Sequence, residues 1–160
     1  MQKLPYNVAE GDAFERAWLL LATIHLGGGK LDLAAAAAAA ALRRNAAAGR
    51  AHEVLGAVAE RRGDAAAAAA AYRRAWELAR GTDPGLGYRL AWNYLKCARY
   101  SEAADVALAV LRAFPEYPKI ESDVLRPALS RLRAGSERED RQKLLGAGEA
   151  AAAPAPVLAA

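Results

Sequence analysis

Sulfur and histidine are scarce in this chain: one cysteine, one methionine and two histidines among 160 residues. Cys97 has no second thiol to pair with, so no internal disulfide framework is possible, and a reducing compartment is the expectation. Two histidines without metal spacing and a lone thiol do not make a zinc site. No apolar run reaches membrane-spanning length. The stretch "AWLLLATIHL" is too short and follows Glu15 and Arg16. No cleavage pattern follows it, so it is not read as a signal peptide, and no direct membrane insertion is expected. Glycine and proline, 13 and 7 residues, are too few for a collagen-like or linker-type chain. The net charge of +4 comes from scattered arginines. Without a basic face and interleaved aromatics it does not argue for a nucleic-acid partner.

Alanine is what the chain has in plenty, including eight in a row at 34–41. Alanine has the highest helix propensity and buries little area. Such a run is either low-complexity filler or part of a packed helix. Leu33, Leu42 and the Arg43–Arg44 ending favour the helix, because basic residues suit a helix C-terminus.

Three turn signals support that choice. They are "GGKLDLAAAA", "RGDAAAAAA" and "CARYSEAAD". In each, a small residue (Gly29, Gly63, Ala98) precedes a polar one (Lys30, Asp64, Arg99), and an alanine follows four positions later (Ala34, Ala68, Ala103). The offsets are 34 and 35 residues. A helical period near 34 marks the tetratricopeptide repeat (TPR). Its template falls on Trp18, Leu21, Ala22 and His25, then on His52, Leu55, Gly56 and Ala59, then on Gly87, Leu90, Ala91 and Tyr94. Second-helix positions fall on Ala34, Ala38 and Ala41, on Ala68, Tyr72 and Ala75, and on Ala103, Ala107 and Pro115. Small residues hold in all three units because antiparallel helices approach closely only where neither presents bulk.

The fold expected is an all-α TPR superhelix, an α-solenoid of three helix pairs plus a C-terminal capping helix. Residues 1–12 form a leader with Asp12 as an N-cap. The repeats cover about 15–48, 49–82 and 84–117, with helices near 13–27, 32–44, 48–62, 65–80, 84–97 and 101–114. Asp83-Pro84 starts the fifth helix, and Pro115 ends the sixth. The cap spans 118–134 with an apolar stripe of Ile120, Val124, Leu125, Leu129 and Leu132, and Pro127 should kink or split it. The composition of 135–160 predicts a disordered tail.

Little chemistry is encoded. "GGGK" at 27–30 is not a phosphate loop, because Ile24 and Leu31 stand where that motif needs Gly and Ser or Thr. The glycines read as a helix terminus and turn. His25 and His52 fall on template positions, and Glu121 and Asp123 on a solvated rim. No catalytic residue and no cofactor are expected. The first helix of each pair lines the concave face of such a solenoid. That places Arg16, Leu19 and Thr23, then Arg50, Glu53, Ala57 and Arg61, then Tyr88, Trp92, Leu95 and Lys96 on one surface. The protein-binding candidates are Arg16, Arg50, Glu53, Arg61, Tyr88, Trp92 and Lys96. Tyr88, Trp92 and Lys96 make the best hot spot. The alternative is that Tyr88 and Trp92 pack under the cap. The lysine–asparagine carboxylate clamp of chaperone-binding TPR domains is missing, since Leu19, Thr23 and Val54 stand in its places.

The third unit, "PGLGYRLAWNYLKCARYSEAADVALAVLRAFPEYPKIESDVL", is more particular than a TPR consensus. Pro84, Gly87, Tyr88, Arg89, Leu90, Ala91, Trp92, Asn93, Tyr94, Leu95 and Lys96 match a P-x-x-G-Y-[KR]-L-A-[FW]-N-Y-L-K stretch. Arg99, Tyr100, Val110, Leu111, Pro115, Tyr117, Pro118, Lys119, Ile120, Asp123, Val124 and Leu125 continue it. The pattern resembles the C-terminal region of the large TPR subunit of the intraflagellar transport A complex, the tetratricopeptide repeat protein 21 family. "ERAWLLLATIHLGGGKLDLA" is similar to the preceding part. The resemblance spans about 13–133. It implies a non-catalytic scaffold in the cytoplasm, cilium and basal body, serving retrograde transport and membrane-cargo entry. Its implied partners are the WD-repeat/TPR subunits of that complex. The other reading is a generic cytosolic TPR adaptor that binds a peptide or helix.

Overall fold

A computed structural model describes residues 8–151, with side-chain surroundings over 11–145. Seven α-helices follow one another without a strand among the described residues: α1 Val8–Gly27, α2 Leu31–Arg44, α3 Gly49–Arg61, α4 Ala65–Leu78, α5 Pro84–Lys96, α6 Tyr100–Ala113 and α7 Arg126–Ala151. A five-residue π turn, Glu121–Leu125, precedes α7. Helices α1/α2, α3/α4 and α5/α6 pack as consecutive pairs, and the π turn and the start of α7 cover α6. The architecture is a TPR-type solenoid of three pairs with a terminal cap.

The turns inside the pairs share one geometry. Gly29, Gly63 and Ala98 all adopt positive φ, +72°, +79° and +57°. The next amide in each, of Lys30, Asp64 and Arg99, donates back to the carbonyl five residues earlier, at 2.9, 3.0 and 2.9 Å. This is the Schellman ending, which satisfies carbonyls the helix would otherwise leave unpaired. Glycine suits that left-handed position; Ala98 occupies it with a Cβ and some strain. Among the described residues, two helix starts are capped by side chains. Asp64 accepts from the amide of Ala67 at 2.9 Å. Asp83 accepts from Gly85 and Leu86 with Pro84 at the first helical position.

The small-residue positions are where the helices meet. Ala34, Ala68 and Ala103 are fully buried, and so are Ala38, Tyr72 and Ala107 one turn on. In the first and third pairs an alanine on the first helix (Ala22, Ala91) corresponds to an alanine on the second (Ala38, Ala107). In the middle pair Tyr72 takes the second place, and Gly56 takes the first. A Cβ on Gly56 would lie 2.7 Å from two ring atoms of Tyr72. The bulk gained on one helix is removed from the other.

The core has two unequal parts. Around α1–α3 it is made of alanines plus Val54 and Val58. Around α4–α7 it gathers Tyr72, Leu86, Leu90, Tyr94, Val110, Ile120 and Val124. Helix α1 leaves Phe14, Trp18, Leu20 and Ile24 at 58%, 38%, 63% and 59% exposure.

Two expected boundaries differ. Helix α1 begins at Val8, so Asp12 lies inside it and is no N-cap, and only residues 1–7 of the leader fall outside the described part. Helix α7 runs on to Ala151, through much of the segment expected to lack structure. Its side chains from Leu129 to Leu145 are exposed apart from Ala134. Strong helix formers (Arg, Glu, Lys, Leu, Ala) carry it without packing. Residues 152–160 lie outside the described part. The apolar stripe of the cap is buried at Ile120, Val124, Leu125 and Ala128, but Leu129 and Leu132 face outward. Pro127 does interrupt the cap. The Arg126 amide bonds back five residues to Glu121, and the regular α-helix starts only there. The wider turn makes room for a residue that has no N–H and whose ring crowds the carbonyl of Asp123.

No helix among the described residues is long and apolar enough to cross a membrane.

Candidate protein-binding groove

Helices α1, α3 and α5 share one face, and three adjoining depressions run along it. The smallest, about 190 Å³, lies between Thr23, Leu26, Arg50, Glu53 and Ala57. The second, about 260 Å³, lies between Arg50, Glu53, Asp83 and Leu86. The widest, about 540 Å³, is bounded by Leu26, Ala57, Glu60, Arg61, Tyr88, Trp92 and Tyr117. Arg89 borders all three.

Of the candidates named from sequence, Arg50, Glu53, Arg61, Tyr88 and Trp92 line this groove. Arg16 is exposed on α1 but borders none of the three depressions. Lys96 stands beside the groove with its ammonium 5.6 Å from the Trp92 ring centroid. The charged and aromatic lining residues Arg89, Glu60 and Tyr117 were not placed on this face from sequence, nor were Leu26, Val54, Asp83, Gly85 and Leu86. Tyr117 lies outside the repeat helices. Arg89 and Glu60 are charged positions that a small-residue template leaves unspecified; the signal that finds Arg89 is its spacing, one turn from Trp92 on α5.

The aromatic part is built in a row. Tyr88 and Trp92 are one turn apart and stack with ring planes 7° from parallel and centroids 6.3 Å apart. Tyr117 meets Tyr88 edge-on, and Lys119 lies 5.7 Å from its centroid. The Tyr88 hydroxyl donates to Asp123 Oδ2 at 2.9 Å. Burial, then the Asp123 carboxylate, pushes the Tyr88 phenol up to about 12. Tyr88 is therefore tied to the cap, while Trp92 borders the open groove. Both are half-buried.

Beneath the groove a polar node joins three helices. Glu60 on α3 accepts from the Tyr72 hydroxyl of α4 at 3.0 Å and from Asn93 Nδ2 of α5 at 3.4 Å. Asn93 also donates to the Arg89 carbonyl at 2.8 Å; its Oδ1 is buried without a partner. Burial, and next the Glu60 carboxylate, pushes the Tyr72 phenol up to about 12. Burial likewise raises the Glu53 carboxyl, against the pull of Arg50, which donates to Glu53 at 3.3 Å.

The family model described as "Tetratricopeptide repeat protein 21 C-terminal ARM domain" matches residues 1–129. The chain belongs to the tetratricopeptide repeat protein 21 family. Tetratricopeptide repeat protein 21B of Mus musculus is 40% identical over 131 residues, 82% of this chain and 10% of that protein. The Homo sapiens 21B protein is 39% identical over 82% of the chain, and the Caenorhabditis elegans homolog 30% over 80%. The chain spans about a tenth of the length of these curated relatives. Among solved structures, a mutant of the Thermobaculum terrenum O-GlcNAc transferase superposes with a TM-score of 0.62. It is 23% identical and covers 74% of this chain and 22% of that one. At that identity the likeness speaks for the helical-pair solenoid alone. The tetratricopeptide repeat protein 21 description uses the armadillo label. The 34- and 35-residue offsets and two helices per unit place this chain with the TPR type rather than with longer armadillo units.

Proposed function

We propose that the chain is a non-catalytic protein-binding scaffold, the C-terminal part of a subunit of the intraflagellar transport A complex. It serves retrograde ciliary transport and cargo entry, in the cytoplasm, at the basal body and in the cilium. Its partners are the WD-repeat/TPR subunits of that complex. One observation carries the reading: the family match over residues 1–129 includes the specific stretch from Pro84 to Leu125. That stretch supplies both the cap and the aromatic end of the groove. The exposed apolar side chains of α1 suit a further helix pair packed against Phe14, Trp18 and Ile24, as neighbours do in a solenoid.

Co-purification tests it. The full-length gene product, tagged in ciliated cells, should bring down the remaining subunits of the complex, and deletion of residues 84–125 should weaken that recovery. Recovery of cytosolic proteins alone, with no ciliary subunit, would favour the generic TPR adaptor instead.

A further inference from the structure

Arg89 occupies an unusual place among the cations of the groove. Arg50 is neutralised by Glu53 on the next turn. Arg61 donates to the carbonyl of Leu26 across the gap between α3 and α1. Arg89 takes part in none of the ion pairs found among the described residues. Its guanidinium rests 6.0 Å from the Tyr72 ring centroid, it is exposed, and all three depressions meet at it. The carboxylates that line the depressions with it are already used: Glu53 pairs with Arg50, Asp83 caps α5, and Glu60 accepts from Tyr72 and Asn93.

We propose that Arg89 is the anchor for an acidic side chain of a partner peptide, whose neighbouring apolar side chain seats on Trp92. This rests on the protein-binding reading of the groove. A guanidinium presents a planar fork that matches a carboxylate in two parallel hydrogen bonds. The guanidinium lies over the Tyr72 ring and beside its hydroxyl, and with five N–H donors it keeps others for a carboxylate. Residues 89 and 92 are one turn apart on α5, so both contacts fall within a short segment. A peptide fits better than a nucleic acid. Glu53, Glu60 and Asp123 interleave with the cations, and a continuous phosphate backbone would meet them, whereas a single carboxylate need not.

The test is selection from a random-peptide phage library on the immobilised chain, followed by anisotropy with the selected peptides, labelled. Wild type should enrich Asp or Glu beside Leu or an aromatic residue. Arg89→Ala should weaken the selected peptides by roughly tenfold or more and abolish the acidic enrichment. Arg89→Lys should recover only part, because the ammonium lacks the fork. All variants should melt with wild type, since the Arg89 side chain is exposed. No enrichment of acidic residues, or equal binding by wild type and Arg89→Ala, overturns the anchor. Preferential competition by single-stranded RNA would do so as well, by placing a phosphate chain in the groove. Neither result touches the co-purification outcome, so failure of the anchor and failure of the scaffold reading are separable.

Discussion

Placing a methyl group on Gly56 tests the complementarity of the middle repeat. Two opposing terms meet at this site. In a helix interior alanine is better than glycine by about 1 kcal/mol. Against that, the new Cβ would stand 2.7, 2.7 and 2.9 Å from three atoms of the Tyr72 ring. That ring is fully buried, and its hydroxyl is held by Glu60, so it cannot swing aside freely. Overpacking of this kind costs about 1–3 kcal/mol. Gly56→Ala should therefore destabilise by about 0–2 kcal/mol net, most simply about 1. At this chain length that lowers the melting temperature by roughly 2–4 °C per kcal/mol. The decisive measurement is the double-mutant cycle. Tyr72→Ala alone should cost about 3–5 kcal/mol by leaving a cavity. On that background the clash is gone and only propensity remains, so Gly56→Ala should stabilise by up to about 1 kcal/mol. The change of sign is the signature. Urea unfolding followed by circular dichroism reads it. If Gly56→Ala stabilises the native chain as much as the Tyr72→Ala chain, the reciprocal exchange of bulk between these helices is not real.

Ala98→Gly should stabilise by about 0.5–1 kcal/mol, because it relieves a left-handed alanine at φ +57°; a thermal melt checks it. Leucine at Ala68 or Ala103 should cost about 1–3 kcal/mol, while leucine at exposed Ala66 should cost little; equal losses would mean that the repeat register is wrong. Hydrogen exchange should run faster across α1 and α2 than across α5 and α6, because the core there holds alanines in place of Leu, Tyr and Ile; uniform protection would refute this. Tyr72 and Tyr88 keep their protons to about 12 when folded, above the ordinary 10 of the unfolded chain. The stability they add is whole below pH 10 and is lost as the pH rises from 10 towards 12, so the urea midpoint should fall over that window and Tyr72→Phe should flatten the fall.

The fold was legible because packing leaves little choice at a few places. Ala34, Ala68 and Ala103 must be small where helices touch, and Gly29, Gly63 and Ala98 sit where the chain must turn with positive φ. Both requirements recur at the repeat period. The ends were harder. Helix α7 past Gly135 is exposed, so hydrophobic pattern had nothing to register there. The groove was legible in part. Arg50, Glu53, Arg61, Tyr88 and Trp92 follow from membership of the first helices. Arg89 and Glu60 do not, because a template of small residues says nothing about which exposed charge faces a neighbouring repeat. Arg16 shares the helix but not the groove, since the depressions begin one turn or more further along α1, at Thr23 and Leu26.

The carboxylate of Glu60 has a geometric consequence beyond its two hydrogen bonds. A row of helix pairs behaves as a chain of stiff links, and its curvature is the sum of small rotations at each joint. At the joint between the second and third pairs, one side chain from α3 reaches both α4 and α5. With the apolar packing of α4 on α5, it helps to fix how far one link is turned against the next. A shift there is small locally, but it is carried along the whole lever of links on either side and changes the opening between distant helices. Glu60→Asp is expected to alter the sweep of the superhelix with every helix intact, which small-angle scattering beside circular dichroism would read.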